Sequence, residues 1–268
     1  MESWILENGI LFRLGIFLGL FFFFGLWEIF FPDHKSPFSK TLRWPSNIAL
    51  VLLNNAFIRI IFPITAIGIA ELATTKQFGV LRMLDLSHGL YFLIGFIFLD
   101  FIIYIQHVLF HSIPILWKLH QMHHADLELD VTSGTRFHPF EILLSMLIKF
   151  SAILFIGATP FTVLVFEVVL NGMAMFNHSN IFIPKSLDGI LRYILITPSL
   201  HRIHHSVLVS EYNSNFGFNF SFWDRILGTL KNNSVGILTL GLTDFQDKKY
   251  LRLDWMLRIP FEFNKKNN

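Results

Sequence analysis

The chain has 268 residues, 53% of them hydrophobic and only 15% charged, with a net charge of +2 and no cysteine. Soluble domains carry roughly 25% charged residues, so an ordinary cytosolic globule is excluded, and so is a disordered chain, which would be polar and highly charged. The small net charge offers nothing to nucleic acid, and without cysteine there is no disulfide, thiolate zinc site or iron–sulfur cluster.

A membrane-spanning helix needs about 20 mostly apolar residues. Ile10 to Phe31 meets this, with Arg13 near one end and Glu28 near the other. Its apolar run is too long for a cleavable signal and no small-residue cleavage site follows, so it reads as a retained span. Its Phe21–Phe24 run reads as lipid-facing or packing surface. Ile48 to Ala70 is the second span, interrupted by Arg59 and Pro63. Leu90 to Phe110 is the third, with Asp100 inside it. Glu141 to Phe182 is about twice the required length. The turn signal Gly157-Ala158-Thr159-Pro160 divides it into two antiparallel spans, 142–157 and 161–181; a shorter re-entrant hairpin is the alternative there. The prediction is an all-α integral-membrane bundle of four to five spans.

Residues 32–47 carry Lys35, Lys40 and Arg43 against Asp33, whereas 71–89 balance Lys76 and Arg82 with Glu71 and Asp85. The positive-inside rule places the more basic loop in the cytoplasm. Five crossings then put 111–140 and everything after 182 on that side, as a polar helical cap. The tail Lys265-Lys266-Asn267-Asn268 resembles a dilysine retrieval signal for the endoplasmic reticulum. A plain basic tail is the preferred reading, so a bacterial inner membrane is expected, with the endoplasmic reticulum as the alternative.

Of the 12 histidines, eight fall in three clusters. His107-x-x-x-His111 closes the third span, and positions i and i+4 share one helix face. Asp100 and Tyr104 extend that face into the membrane, where an ionisable group usually faces a functional interior. His120-x-x-His123-His124 and His201-x-x-His204-His205 each bring i, i+3 and i+4 to one side of a helical turn. A lone histidine near an interface is most often merely polar, which is the reading for His34 and His88. Two HxxHH boxes and an HxxxH box together are not coincidence. Eight imidazoles exceed the three or four ligands of one tetrahedral zinc. Shared between two ions, they supply about four each. Imidazole suits iron, zinc, copper and nickel alike. There is no HExxH of a zinc protease and no Glu-x-x-His of the carboxylate di-iron bundles. The histidines alone therefore predict a His-rich dinuclear site at the cytoplasmic membrane face.

Over residues 100–230 the sequence resembles the fatty acid hydroxylase / sterol desaturase superfamily of integral-membrane di-iron enzymes. The resemblance rests on Asp100-x-x-x-Tyr104-x-x-His107-x-x-x-His111 and Trp117-Lys118-x-His120-x-x-His123-His124. It continues through Arg136-x-His138-Pro139-x-Glu141, Asn177-His178-Ser179-Asn180 and Thr197-Pro198-Ser199-x-His201-Arg202-x-His204-His205-Ser206. It ends with Asn215-Phe216-Gly217 and Trp223-Asp224-Arg225-x-x-Gly228-Thr229. The resemblance implies two irons on the box histidines, with O2 as co-substrate and His178 as an extra ligand; zinc could replace iron on purification. His138 stands either as a ligand or as an outer partner. The region 90–230 is then catalytic, 1–89 holds the N-terminal helices and loops, and 231–268 is a tail.

The implied reaction is O2-dependent hydroxylation or desaturation of a sterol, fatty acyl or related lipid drawn from the bilayer. The metals carry the chemistry and the protein supplies geometry and a dry cavity. Thr197-Pro198-Ser199-x-His201 and Trp223-Asp224-Arg225 also resemble alkylglycerol monooxygenase, so ether cleavage is the alternative. Outer groups that orient ligand imidazoles are sought in Asp100, Glu141, Asn215 and Asp224. For Glu141 helix capping is the competing role, for Asp224 a cap or an ion pair with Arg225, and for Trp223 an interfacial anchor. There is no G-x-G-x-x-G dinucleotide fingerprint and no fused electron carrier. A separate reductase, ferredoxin, haem protein or pterin must deliver electrons. The rivals are a His-rich metal-binding or transport protein, whose ligands should line a path across the bilayer, and an inactive zinc-holding scaffold, which should show a broken box.

Overall fold

A computed structural model describes residues 2–262, so the Lys265-Lys266 tail lies outside the described residues. The helices are α1 (Glu2–Glu7), α2 (Gly9–Phe30), α3 (Lys40–Ile61), α4 (Ala66–Thr75), α5 (His88–Ser112), α6 (Pro114–His124), α7 (Pro139–Ile156) and α8 (Pro160–His178). Shorter helices follow: α9 (Lys185–Leu191), α10 (Pro198–His204), α11 (Val209–Tyr212), α12 (Phe222–Ile226) and α13 (Leu253–Met256). Among the described residues no strand forms beyond isolated bridges such as Leu195–Phe220. The fold is all-α, and five segments are long and apolar enough to cross a membrane: Gly9–Phe30, Lys40–Met83, His88–Ser112, Pro139–Ile156 and Pro160–His178.

Four of these match the predicted spans closely. The second differs. Its helix begins at Lys40, eight residues before the expected Ile48, and stops at Ile61. Pro63 lacks the N–H a helix needs and pushes the residue before it out of the α region. Phe62 accordingly sits at φ −110°, ψ 105°. The chain restarts as α4, whose buried Ala66, Ile69 and Ala70 join one apolar cluster with Phe96, Ile153, Ile156 and Phe166. Small side chains there let α4 approach α7 and α8.

The α7–α8 hairpin forms where the turn signal lies, as two helices of full length. Gly157 ends α7 in the left-handed region at φ 78°, a conformation that glycine adopts without a Cβ clash. Thr159 caps α8 by accepting from the Thr162 amide, and Pro160 fills the first helical position. The Tyr91 hydroxyl donates to the Gly157 carbonyl, which ties this turn to the start of α5. Of the four-Phe run, Phe22 and Phe23 are exposed, while Phe24 is buried beside Phe176 and Phe21 packs on Trp44.

Two expectations for the polar regions change. Arg43 is no loop cation: it lies in α3, is 1% exposed, and pairs with Asp126 and Asp130. Lys40 likewise pairs with the buried Glu28. Internal partners thus take two of the three cations on which the orientation argument drew. The cap is not uniformly polar either. Residues 120–134 form a buried knot of charge, in which Arg43 also donates to Ser133 at 3.0 Å and Trp44 to Asp130 at 3.1 Å. Residues 216–229 instead lie alongside α5, where Phe218 and Phe220 pack against the apolar cluster of the bundle.

A candidate metal centre at one end of the bundle

Two long helices and two short ones bring the histidines together. His107 and His111 stand on the last turns of α5, His178 is the last residue of α8, and α6 and α10 carry the two HxxHH boxes. Proline at the start of α6 and of α10 sets where each short helix begins. The ligand atoms of His107, His111, His120, His124 and His204 lie within 4.8 Å of one another. Those of His123, His178, His201 and His205 form a second such group. Each HxxHH box therefore serves both groups. Its i and i+4 histidines face one group and the i+3 histidine faces the other. All three boxes and His178 are brought together, whereas His34, His88 and His138 belong to neither group.

The hydrogen bonds decide which nitrogens face inward. A carbonyl or carboxylate only accepts, so an imidazole nitrogen beside one must carry the proton. His107 Nδ1 donates to the Phe216 carbonyl at 2.8 Å, and His120 Nδ1 to the Glu141 carboxylate at 2.6 Å. His204 Nδ1 donates to the Ser214 carbonyl at 2.7 Å. His178 Nδ1 donates to the Ala174 carbonyl at 2.7 Å and the Asn177 side-chain oxygen at 2.6 Å. Their Nε2 atoms are then bare lone pairs. Yet His107 Nε2 and His120 Nε2 stand 3.2 Å apart with no proton to share. His178 Nε2 faces His123 Nε2 at 3.2 Å and His201 Nε2 at 3.0 Å. His111 Nε2, His204 Nε2 and both nitrogens of His124 are buried without a hydrogen-bond partner. Converging, unshared lone pairs repel unless a cation lies among them. The donor set fits a metal site.

Electrostatics agree. Burial holds His120 down at about 3. Burial first, and neighbouring imidazoles next, hold His123, His124, His201, His204 and His205 well below the usual histidine range. All six are neutral at pH 7, the form that binds metal.

The outer groups proposed from sequence divide. Glu141, in the first turn of α7, bonds His120 directly and so orients it. Asp224 acts at one remove. Its carboxylate accepts from the amides of Phe216 and Gly217, both at 2.7 Å, and from the Thr229 hydroxyl at 2.6 Å. It thereby fixes the loop whose Phe216 carbonyl receives His107. No side chain fits at Gly217, because a Cβ there would lie 2.7 Å from the Asp224 carboxylate. Asn215 pins the same loop. It adopts a left-handed φ of 54°, bonds Leu200 and Lys231, and touches no box histidine. Asp100 accepts from Trp223 at 2.7 Å and lies outside both groups. His138 caps α7 through the Phe140 amide. That placement makes it a structural partner of Glu141's helix rather than a member of the cluster.

Several supporting residues have no signature of their own. The carbonyls of Phe216 and Ser214 carry no side-chain code. Arg136 is fully buried and donates to the Met122 carbonyl at 2.9 Å and the Tyr250 carbonyl at 2.7 Å, gripping the turn between His120 and His123. The Arg136-x-His138-Pro139-x-Glu141 string was the signal for it. His34 is also more than incidental: it bonds Glu128 at 3.0 Å, close to Arg202 and His201.

A sequence profile of the fatty acid hydroxylase family matches residues 92–229, just over half of the 268 residues, and contains every histidine of both groups. The chain belongs to the fatty acid hydroxylase family. It is 32% identical over 139 residues to the ornithine lipid hydroxylase of Rhizobium tropici, covering 52% of this chain and 41% of that one. It is 26% identical over 177 residues to human cholesterol 25-hydroxylase, covering 65% and 63%. It is 30% identical over 150 residues to human alkylglycerol monooxygenase, covering 56% and 32%. The matches thus span less than two thirds of each of these relatives. No solved structure matches the chain.

Proposed function

We propose that this chain is a membrane-bound di-iron oxidoreductase that uses O2 to hydroxylate or desaturate a C–H bond of a lipid. The observation that carries the reading is the convergence of nine histidines in two adjoining groups at one end of an apolar bundle, with the bare Nε2 lone pairs of His107 and His120 facing each other. His107, His111, His120, His124 and His204 would hold one iron, and His123, His178, His201 and His205 the other. Bound ferrous ions supply the redox chemistry for O2-dependent C–H oxidation.

The protein's own residues do the rest. Glu141, the Phe216 and Ser214 carbonyls and Asn177 keep the protons of His120, His107, His204 and His178 on Nδ1, so that Nε2 stays free. Burial of these rings excludes bulk water. The balance for hydroxylation is RH + O2 + two electrons + two protons giving ROH + H2O. Desaturation consumes the same electrons and protons, removes two hydrogens from the lipid and sends both oxygens out as water. Both need an external electron donor: a reductase, ferredoxin, haem protein or pterin. A cytoplasmic donor would dock on the face proposed for the site, the cytoplasmic one, in a bacterial inner membrane first and the endoplasmic reticulum second.

The relatives named for ornithine lipid, cholesterol and alkylglycerol share only the lipid class, and that is the substrate class proposed. Ether cleavage of the alkylglycerol type is the second reading, favoured by that relative's identity. A transport role is disfavoured because both groups sit at one end of α5 and α8 rather than along a path. The test is lipid mass spectrometry of cells with and without the protein under ¹⁸O2. Added ¹⁸O marks hydroxylation, loss of two hydrogens marks desaturation, and an unchanged lipid profile would refute the oxidase reading.

A further inference from the structure

The stretch from Lys185 to Lys231 carries more exposed apolar surface than a water-facing cap should. Ile190, Tyr193, Ile194 and Ile226 are each more than 60% exposed. They belong to one surface. The Arg225 guanidinium lies 5.1 Å over the Tyr193 ring, the Ser221 amide donates to the Ile194 carbonyl at 3.0 Å, and Leu195 bridges Phe220.

This surface stands beside the bundle and not only above it. The Trp223 ring lies 4.7 Å from Phe101, and its N–H reaches Asp100. Asp100 is seven residues before His107 on α5, about 10 Å along a helix at 1.5 Å per residue. The Phe220 ring meets Phe96, one turn deeper, at 6.3 Å between centroids.

The charges on this stretch are one-sided. Its three acids, Asp188, Glu211 and Asp224, are all buried. Arg192 is paired with Asp188 and Arg202 is buried. The remaining cations are Lys185 and Arg225, both exposed, and Lys231, partly so. Every free charge is positive and is interleaved with exposed aliphatic side chains.

We propose that residues 185–231 form a collar that lies in the headgroup layer and binds anionic phospholipid, with Lys185, Arg225 and Lys231 at the phosphates and the isoleucines in the acyl region. Long cationic side chains lay apolar stems along hydrocarbon while holding their charge at the headgroups. An acidic water-soluble partner would satisfy the cations and leave the isoleucines without apolar cover. The proposal does not depend on the irons.

The absence of cysteine makes the test direct. Full-length protein with a nitroxide at Ile190→Cys or Ile226→Cys is placed in vesicles of equimolar phosphatidylcholine and phosphatidylglycerol. Collisions with oxygen should exceed those with a water-soluble nickel chelate at both positions, and a label at the exposed Asp244→Cys should show the reverse. An exposed cation at an anionic surface is worth a factor of about five in binding. Lipid retained through detergent extraction should therefore be enriched in phosphatidylglycerol at least about fivefold, and K185E/R225E/K231E should return it to the bulk ratio. Two results would overturn the proposal. One is nickel chelate reaching both collar labels, which would mark a surface for a soluble partner. The other is retained lipid at the bulk ratio in the unsubstituted chain.

Discussion

Replacing Arg43 by alanine is expected to unfasten the knot that holds the second histidine box. The Arg43 guanidinium is 1% exposed. It grips the Asp126 carboxylate with two bonds, of 3.1 and 2.9 Å, and it also bonds Asp130, the Glu128 carbonyl and, at 3.0 Å, Ser133. Removing it strands two buried carboxylates. Asp126 keeps the Ser133 hydroxyl at 2.7 Å and the Arg136 guanidinium 3.7 Å away, while Asp130 keeps Trp44 and Thr132. Breaking a buried pair from one side costs about 3–5 kcal/mol. With these residual partners the lower half applies, about 3–4 kcal/mol. For a chain of this size each kcal/mol moves the melting point by about 2–4 °C, so Arg43→Ala should melt about 6–16 °C lower. Because Asp126 follows His124 by two residues, iron retention should fall with stability. Thermal unfolding of the purified protein, with iron measured on the same samples, reads both. Restoring neutrality with Arg43→Met, Asp126→Asn and Asp130→Asn together should recover much of the loss, since buried pairs are often replaceable by neutral packing. Arg43→Ala melting within about 2 °C of the parent, with full iron, would refute the reasoning.

Glu141→Gln should leave the fold intact and weaken iron binding about 10- to 100-fold, the usual loss when the outer partner of a ligand histidine is changed; a chelator titration measures it, and unchanged affinity would remove Glu141 from the site. Glu167→Gln should destabilise the membrane bundle by about 3 kcal/mol, because Arg13 at 3.1 Å and Lys149 at 3.0 Å would lose their shared counter-ion; an unshifted melting point contradicts this. His34 is raised to about 9 by hydrogen bonds to Asp33 and Glu128. Its stabilisation is therefore complete below about 6.5 and lost as pH rises through about 9. Since the ring is half-exposed, the effect is about 1 kcal/mol after solvent screening. Melting at pH 7 and pH 10 should show this drop in the parent and not in His34→Gln.

The spans were legible because lipid demands long apolar runs, and the boxes because i, i+3 and i+4 share a helical turn. What sequence spacing could not show is how the boxes divide. His123 leaves His120 and His124 for the second group because it faces His178 on α8 while His120 faces His107 on α5, a tertiary fact. The early start of α3 was hidden because Arg43 and Asn47 look too polar for a span. Both find buried partners across more than 80 residues, Arg43 in Asp126 and Asn47 in Thr132. Asp224 was legible as an outer group but not its route, which runs through the backbone of Phe216. Arg43 also entered the orientation argument as a loop cation, since formal loop charge counts a cation whether or not an acid already neutralises it.

The nine histidines are proposed to make two metal sites, not one. Iron per chain, measured on protein purified without oxygen, tests this most directly. Two irons are expected in the parent, with His111→Ala weakening the site of the five-histidine group and His178→Ala that of the four-histidine group. A parent that saturates at a single iron would contradict it.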